Sequence, residues 1–164
     1  MKKRILSLSL AICLLFSLFP VSAMAEAPGS PAAAAEQTVR ALGIMTGDKN
    51  GSMNLSRNVT RAEFVKMTVA ASAFRDNAAE GANVLLYRDV EPNYWAAGYM
   101  KVAVDNGWFS GYADGTFRPN NTITLREAAS ALLRLLGYTS DDLSGLFPAA
   151  QMSKFTALGL GDGL

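Results

Sequence analysis

The chain has 164 residues, with 15 basic and 14 acidic side chains, one cysteine and no histidine. A charge balance this close to neutral gives no electrostatic footprint for nucleic acid or for an anionic lipid surface. The missing histidine removes the commonest general base and the commonest metal ligand, which argues against an enzyme, a metal site or a bound cofactor.

Residues 1–25 read as a secretory signal. Met1-Lys2-Lys3-Arg4 is a basic start, Ile5 to Val21 is an apolar core, and Ala23-Met24-Ala25 supplies a small-x-small cleavage site, so the mature chain is expected to start at Glu26. Cleavage takes Lys2, Lys3 and Arg4 with it: 15 basic residues less these three leaves 12 against 14 acidic, a net charge of −2. It also removes Cys13. The mature protein is then expected to have no disulfide, no thiolate metal site and no membrane association.

Residues 26–31 read as a flexible leader, and the composition of Ala32 to Leu42 predicts a helix that stops at Gly43. A loop with Gly47, Asn50, Gly51 and Asn54 follows. Thr60 and Glu63 have capping-box spacing at the start of a second helix, with Val59 and Phe64 placed as a hydrophobic staple. Phe64, Met67 and Ala71 give that helix its expected apolar face. Residues 75–86 form a connector without a repeat partner. A second unit opens at Tyr87-Arg88-Asp89-Val90 and continues as a helix from Trp95 to Asn106, with Tyr99, Val102 and Ala103 on one face. Its loop, Gly111 to Asn121, leads to a helix over Thr124–Leu136, capped by Thr124 with Glu127, striped by Leu132, Leu135 and Leu136, and ended at Gly137. A third unit begins with a helix ending in Ala157-Leu158-Gly159-Leu160, which parallels Ala41-Leu42-Gly43-Ile44. Its capped helix is absent, so the second and third units are expected to leave apolar surface open.

The first two units align without a gap at an offset of 64 residues: Gly43, Gly47 and Gly51 fall on Gly107, Gly111 and Gly115, and Thr60 and Glu63 on Thr124 and Glu127. Such a period means stacked helix–loop–helix units, none of which buries its apolar face alone. The third unit follows at a shorter spacing of 52, Gly107 to Gly159.

Tyr87-Arg88-Asp89-Val90, Trp95-Ala96, Gly107-Trp108, Gly111-Tyr112-Ala113-Asp114-Gly115-Thr116-Phe117-Arg118-Pro119-Asn120 and Ile123-Thr124 closely resemble the S-layer homology motif. Val59-Thr60-Arg61-Ala62-Glu63 resembles that motif's signature segment. The resemblance implies an all-α fold of helix–loop–helix motifs packed as an incomplete pseudo-threefold bundle, with motifs at 32–80 and 87–138 and a partial one at 139–164. It also implies grooves between adjacent motifs that bind secondary cell-wall polymer, often through pyruvylated N-acetylmannosamine. The expected partner is that polymer or a peptidoglycan-linked glycan, and the expected location is the cell surface.

Within that frame Arg61 is the favoured ligand residue. It stands where a helix's first N–H groups and positive dipole end favour an anion, and a guanidinium grips a carboxylate with paired hydrogen bonds. Trp95 offers either a sugar platform or a core residue, as does Phe117. Asp114 and the backbone at Gly111 and Gly115 would meet hydroxyls, or simply make a turn. Thr60, Glu63, Thr124 and Glu127 read as caps. Leu125 holds the position matching Arg61, and Arg126, one residue on, is turned about 100° away. The rival readings are a protein–protein assembly module, including self-association, and a calcium loop at Asp48-Lys49-Asn50-Gly51-Ser52. The calcium loop has glycine at its fourth position and Val59 at its twelfth, against the EF-hand pattern.

Overall fold

In the computed structural model the described residues are Gly29, 31–78 and 86–162, so the expected signal segment 1–25 lies outside them. They form five α-helices: α1 (Pro31–Ala41), α2 (Arg61–Ala70), α3 (Ala97–Asp105), α4 (Leu125–Leu135) and α5 (Ala149–Ala157). Single 3₁₀ turns occupy Arg75–Asn77, inside the expected connector, and Ser140–Asp142. Among the described residues there is no strand, only an isolated antiparallel bridge between Thr60 and Thr122, so the fold is all-α. None of these helices is long and apolar enough to cross a membrane. The chain divides into two compact units, Met1–Ala35 and Glu36–Leu164. Of the first, only Gly29 and 31–35 are described; the end of α1 and all of α2 to α5 belong to the second.

The repeat is written most clearly into the helix ends. After α1, Gly43 donates to Arg40 O and Ile44 to Val39 O; after α3, Gly107 donates to Val104 O and Trp108 to Ala103 O. After α5, Gly159 donates to Thr156 O and Leu160 to Phe155 O. These are Schellman closures, which require a left-handed residue. The three glycines have φ of 67°, 71° and 68°. The third unit thus closes its first helix as the other two do. At the other end of the motif, Thr60 and Thr124 each form the full reciprocal capping box with Glu63 and Glu127.

α2 packs on α3 and α4, and α4 packs on α5. The buried face of α2 is Ala62, Val65 and Val69, which corrects the expected face. Phe64 and Met67 are half-buried and Ala71 is exposed. A similar correction applies to α4: Ala129, Ala131 and Leu133 are buried, whereas Leu132 and Leu135 are half-buried and Leu136 is exposed. In both helices apolar side chains occupy more than one face, so spacing alone does not choose the buried one. The core centres on Phe117, which comes from a loop and is fully buried, with Tyr87 and Phe109 rings 5.2 and 6.3 Å from its own. Burying a side chain of this size contributes about 2–3 kcal/mol.

The first unit's helix is stitched directly to the second unit's loop. Arg61 N donates to Asn121 O (2.9 Å), Ala62 N to Pro119 O (3.0 Å), and Ile123 N to Val59 O (3.0 Å). The leading N–H groups of α2 are therefore consumed by protein carbonyls. This overturns the expectation that they stand open to an anion.

Two repeat-related grooves

One groove lies between the first unit's loop, α2 and Trp95, and encloses about 400 Å³. Its loop wall is held by Asp48, whose Oδ1 accepts from Asn50 N (2.8 Å) and Ser52 N (3.0 Å), while Oδ2 accepts from Asn54 Nδ2 (3.1 Å). The Asn54 amide, with the two backbone donors behind it, lowers the Asp48 pKa. That loop is an internal clasp, and no group of three or more carboxylate, histidine or cysteine residues that could hold a metal ion occurs among the described residues. On the helix side Arg57 grips Glu63 with two bonds, of 2.9 and 2.6 Å, and this holds the Glu63 carboxyl down at about 2. Glu63 is therefore both the cap of α2 and the anchor for Arg57.

Two groups are left facing the space. Lys66 lines the groove and has no ion-pair partner among the described residues. Trp95 is 47% exposed, its ring set against Tyr94 at 5.7 Å. Of the two aromatics left open by the sequence, Trp95 faces solvent and Phe117 is core. Met45, Met53 and Met67 supply a polarisable apolar lining.

A smaller groove, of about 160 Å³, lies on the second unit. Shifting Met45, Thr46, Gly47, Asp48, Glu63 and Lys66 by 64 residues gives Phe109, Ser110, Gly111, Tyr112, Glu127 and Ser130, all of which line it. Phe147, 52 residues after Trp95, lines it too and is 67% exposed. The two grooves are thus versions of one design: a glycine-rich loop, the capped helix and an aromatic from the following unit.

Arg61 sits in this second groove, contributed by the unit before it, and is only 4% exposed. Its Nε donates to Phe117 O (3.0 Å), Nη1 to Glu127 Oε1 (3.0 Å) and Nη2 to Ser110 O (3.2 Å). The guanidinium also lies 4.7 Å from the Phe117 ring centre and 5.0 Å from that of Tyr112. The expectation that neither cap nor core needs an arginine here is corrected: Arg61 ties α2 to the second unit's loop. Tyr112 OH donates to the same Glu127 oxygen at 2.6 Å. Burial pushes the Glu127 carboxyl up, but Tyr112, the Thr124 donors and the Arg61 charge outweigh it and hold the pKa below the usual value.

Of the residues expected to bind ligand, Arg61 and Gly111 are together in the second groove, and Trp95 lines the first. Asp114, Gly115 and Arg126 line neither. Asp114 accepts from Thr116 N (3.0 Å) and Arg118 Nη2 (3.0 Å), which makes it a loop clasp with its pKa lowered to about 2. Gly111 N donates to Tyr87 OH (3.0 Å), and Gly115 O accepts from Arg88 N (3.2 Å), so both are engaged within the protein. Arg126 and Leu125 are exposed at the start of α4. The sequence reading missed Lys66, Arg57 and Tyr112. The repeat alignment carried a usable signal, since Lys66 falls on Ser130 and Asp48 on Tyr112 while the surrounding frame is retained.

Residues 37–65 and 86–129 match the S-layer homology domain. A surface layer protein of Brevibacillus choshinensis is 32% identical over 99% of this chain, and a middle cell wall protein of Brevibacillus brevis is 30% identical over 96%. A cellulosome-anchoring protein of Acetivibrio thermocellus is 29% identical over 57% of the chain. The chain spans only 15%, 16% and 21% of those three relatives. Through residues 37–65 and 86–129, with their paired caps and glycine-closed helices, the chain belongs to the S-layer homology domain family.

Proposed function

We propose that the chain is a non-catalytic anchoring module of the cell surface, which holds an anionic cell-wall glycopolymer in the groove between the first unit's loop and Trp95. The observation that carries this reading is the pairing of an exposed tryptophan with an unpaired lysine across a 400 Å³ apolar-lined space. The indole gives a sugar ring a flat face, and Lys66 supplies a charge for a carboxylate such as a pyruvyl ketal. Family membership and the relatives' names, surface layer, cell wall and cellulosome-anchoring, support the anchoring role. A secreted chain acting at the wall fits the reading of residues 1–25 as a signal.

The test is co-sedimentation with purified walls, before and after chemical stripping of the secondary polymer. Trp95→Ala and Lys66→Ala should each weaken pelleting by about tenfold, equivalent to about 1.4 kcal/mol. The Lys66 contribution should also fade with added salt. Equal pelleting on stripped and intact walls would sink the proposal. A second reading, self-association, draws on the exposure of Leu146 (86%) and Phe147 (67%). Sedimentation velocity over a concentration series decides it, and a constant coefficient removes it.

A further inference from the structure

The dipeptide Asn-Gly occurs twice in the chain, at Asn50–Gly51 in the first unit's loop and at Asn106–Gly107 at the end of α3. Such a pair is open to spontaneous loss of ammonia, because glycine has no Cβ to keep its backbone nitrogen from the asparagine Cγ. Both asparagines are exposed, and both glycine N–H groups are engaged, Gly51 with Asp48 O (2.8 Å) and Gly107 with Val104 O (2.9 Å). The side chains differ. Asn106 Nδ2 donates to Val102 O (2.8 Å), one turn back, so its amide is drawn along the helix and away from Gly107 N. The Asn50 side-chain amide makes no hydrogen bond among the described residues; only its backbone N–H is used, on Asp48 Oδ1 (2.8 Å). A Cβ placed on Gly51 would meet nothing within 4 Å, so the tip of the turn is open to water.

We propose that Asn50 is a site of spontaneous deamidation, and that Asn106 is protected by the bond to its own helix. Gly51 N attacks Asn50 Cγ. The N–Cγ bond forms, the Cγ–Nδ2 bond breaks, and ammonia leaves with the proton that Gly51 N gives up. Water then opens the succinimide at either carbonyl, which yields aspartate or isoaspartate, and water is the only co-reactant. The repeat shows what the aspartate product resembles, because Asn50 falls on Asp114. There the carboxylate accepts from Thr116 N (3.0 Å), whereas Ser52 N, at the equivalent place, donates to Asp48 Oδ1 (3.0 Å). Deamidation therefore sets a second carboxylate beside Asp48, competing for the same donor, on the loop that walls the Trp95 groove. The assignment stands independently of what that groove holds.

The experiment holds the folded chain at mildly alkaline pH and follows both asparagines by peptide mapping in a mass spectrometer, with isoaspartate detected by enzymatic methylation. Asn50 should convert about tenfold faster than Asn106, a barrier difference of about 1.4 kcal/mol. In concentrated urea the Val102 bond is lost, and the two rates should converge. Asn50→Gln keeps the backbone donor to Asp48 and should remove the early acidic species on ion exchange, because glutamine has to close a larger ring. Equal rates in the folded protein, faster loss at Asn106, a difference that survives in urea, or an early acidic species that persists in Asn50→Gln would each overturn the assignment.

Discussion

Replacing Arg61 with leucine asks whether its guanidinium is a strut between units or a grip on ligand. The substitution removes donors to Phe117 O, Ser110 O and Glu127 Oε1, together with the ring contacts. Hydrogen bonds to a charged group contribute about 1.5–3 kcal/mol each, but three on one group are not additive. Breaking a buried ion pair costs about 3–5 kcal/mol when the abandoned partner stays dry. Here the Glu127 side chain is 27% exposed and water can reach it, which moves the figure to the lower end. The expected loss is about 3–4 kcal/mol. With a urea slope of about 2 kcal/mol/M, the unfolding midpoint falls by about 1.5–2 M.

Tryptophan fluorescence is a suitable readout, because Trp108 is 8% exposed and lines the same groove as Arg61. Arg57→Leu is the matched control. Its pair with Glu63 is short, at 2.6 Å, but the Arg57 side chain is 53% exposed, and solvent screens most of an exposed pair's attraction. That midpoint should move by less than about 0.5 M. If Arg61→Leu moved no further than Arg57→Leu, the strut would be refuted. If it also lost wall binding at unchanged stability, Arg61 would be a ligand residue.

Acid should unfold the protein late. Arg57 holds the Glu63 carboxyl at about 2, and Thr116, foremost among several donors, holds that of Asp114 at about 2. Folded values below the unfolded ones mean that the unfolded chain takes up protons first, so their stabilisation is complete above about pH 4.5 and is lost as pH falls towards about 2. With no histidine in the chain, the melting temperature should be flat from about pH 6 to about pH 8, and a step there would contradict the account. Two glycines should respond differently to alanine. At Gly107 (φ 71°) a Cβ meets nothing within 4 Å, so the cost is the left-handed backbone alone, about 1–2 kcal/mol. At Gly111 a Cβ would sit 2.8 Å from Tyr87 Cδ1 and 2.9 Å from Thr116 O and disturb the Tyr87 bond, costing about 3 kcal/mol. Equal melting shifts would refute that distinction. Thr60→Ala and Thr124→Ala should each cost about 1 kcal/mol in chemical denaturation, as lost caps.

The sequence made local features legible and distant ones opaque. Capping boxes and helix-closing glycines act within six residues, so Thr60, Thr124, Gly43, Gly107 and Gly159 could be read directly from spacing. The buried face of α2 could not, because Phe64, Val65, Met67 and Val69 spread apolar character around the helix. The tie that Arg61 makes between units is hidden in the sequence for a different reason. Its partners Ser110, Phe117 and Glu127 lie 49, 56 and 66 residues away, and no local pattern announces a carbonyl turned towards an arginine. Trp95 and Phe117 were indistinguishable by composition. Only the packing, with one at 47% and the other at 0% exposure, separates the exposed ring from the core one.

The same frame, used twice, shows how one acidic position can decide whether a groove stays open. Glu63 and Glu127 are equivalent, and each caps its own helix through the backbone of the preceding threonine. Each has carboxylate capacity left over, and each attracts an arginine. Glu63 takes Arg57 from its own unit, on the solvent side of the loop, and the space beyond it remains about 400 Å³ with Lys66 unpaired. Glu127 takes Arg61 from the unit before, and that guanidinium stacks among Phe109, Tyr112 and Phe117 in a space of about 160 Å³. Asn121, at the position equivalent to Arg57, cannot supply the local cation, so the pairing has to come across the unit boundary. Cohesion between units and room for a ligand therefore compete for the same carboxylate. In this chain the second groove is filled by the contact between units, and the first, lined by Trp95 and Lys66, is the one proposed to hold a polymer.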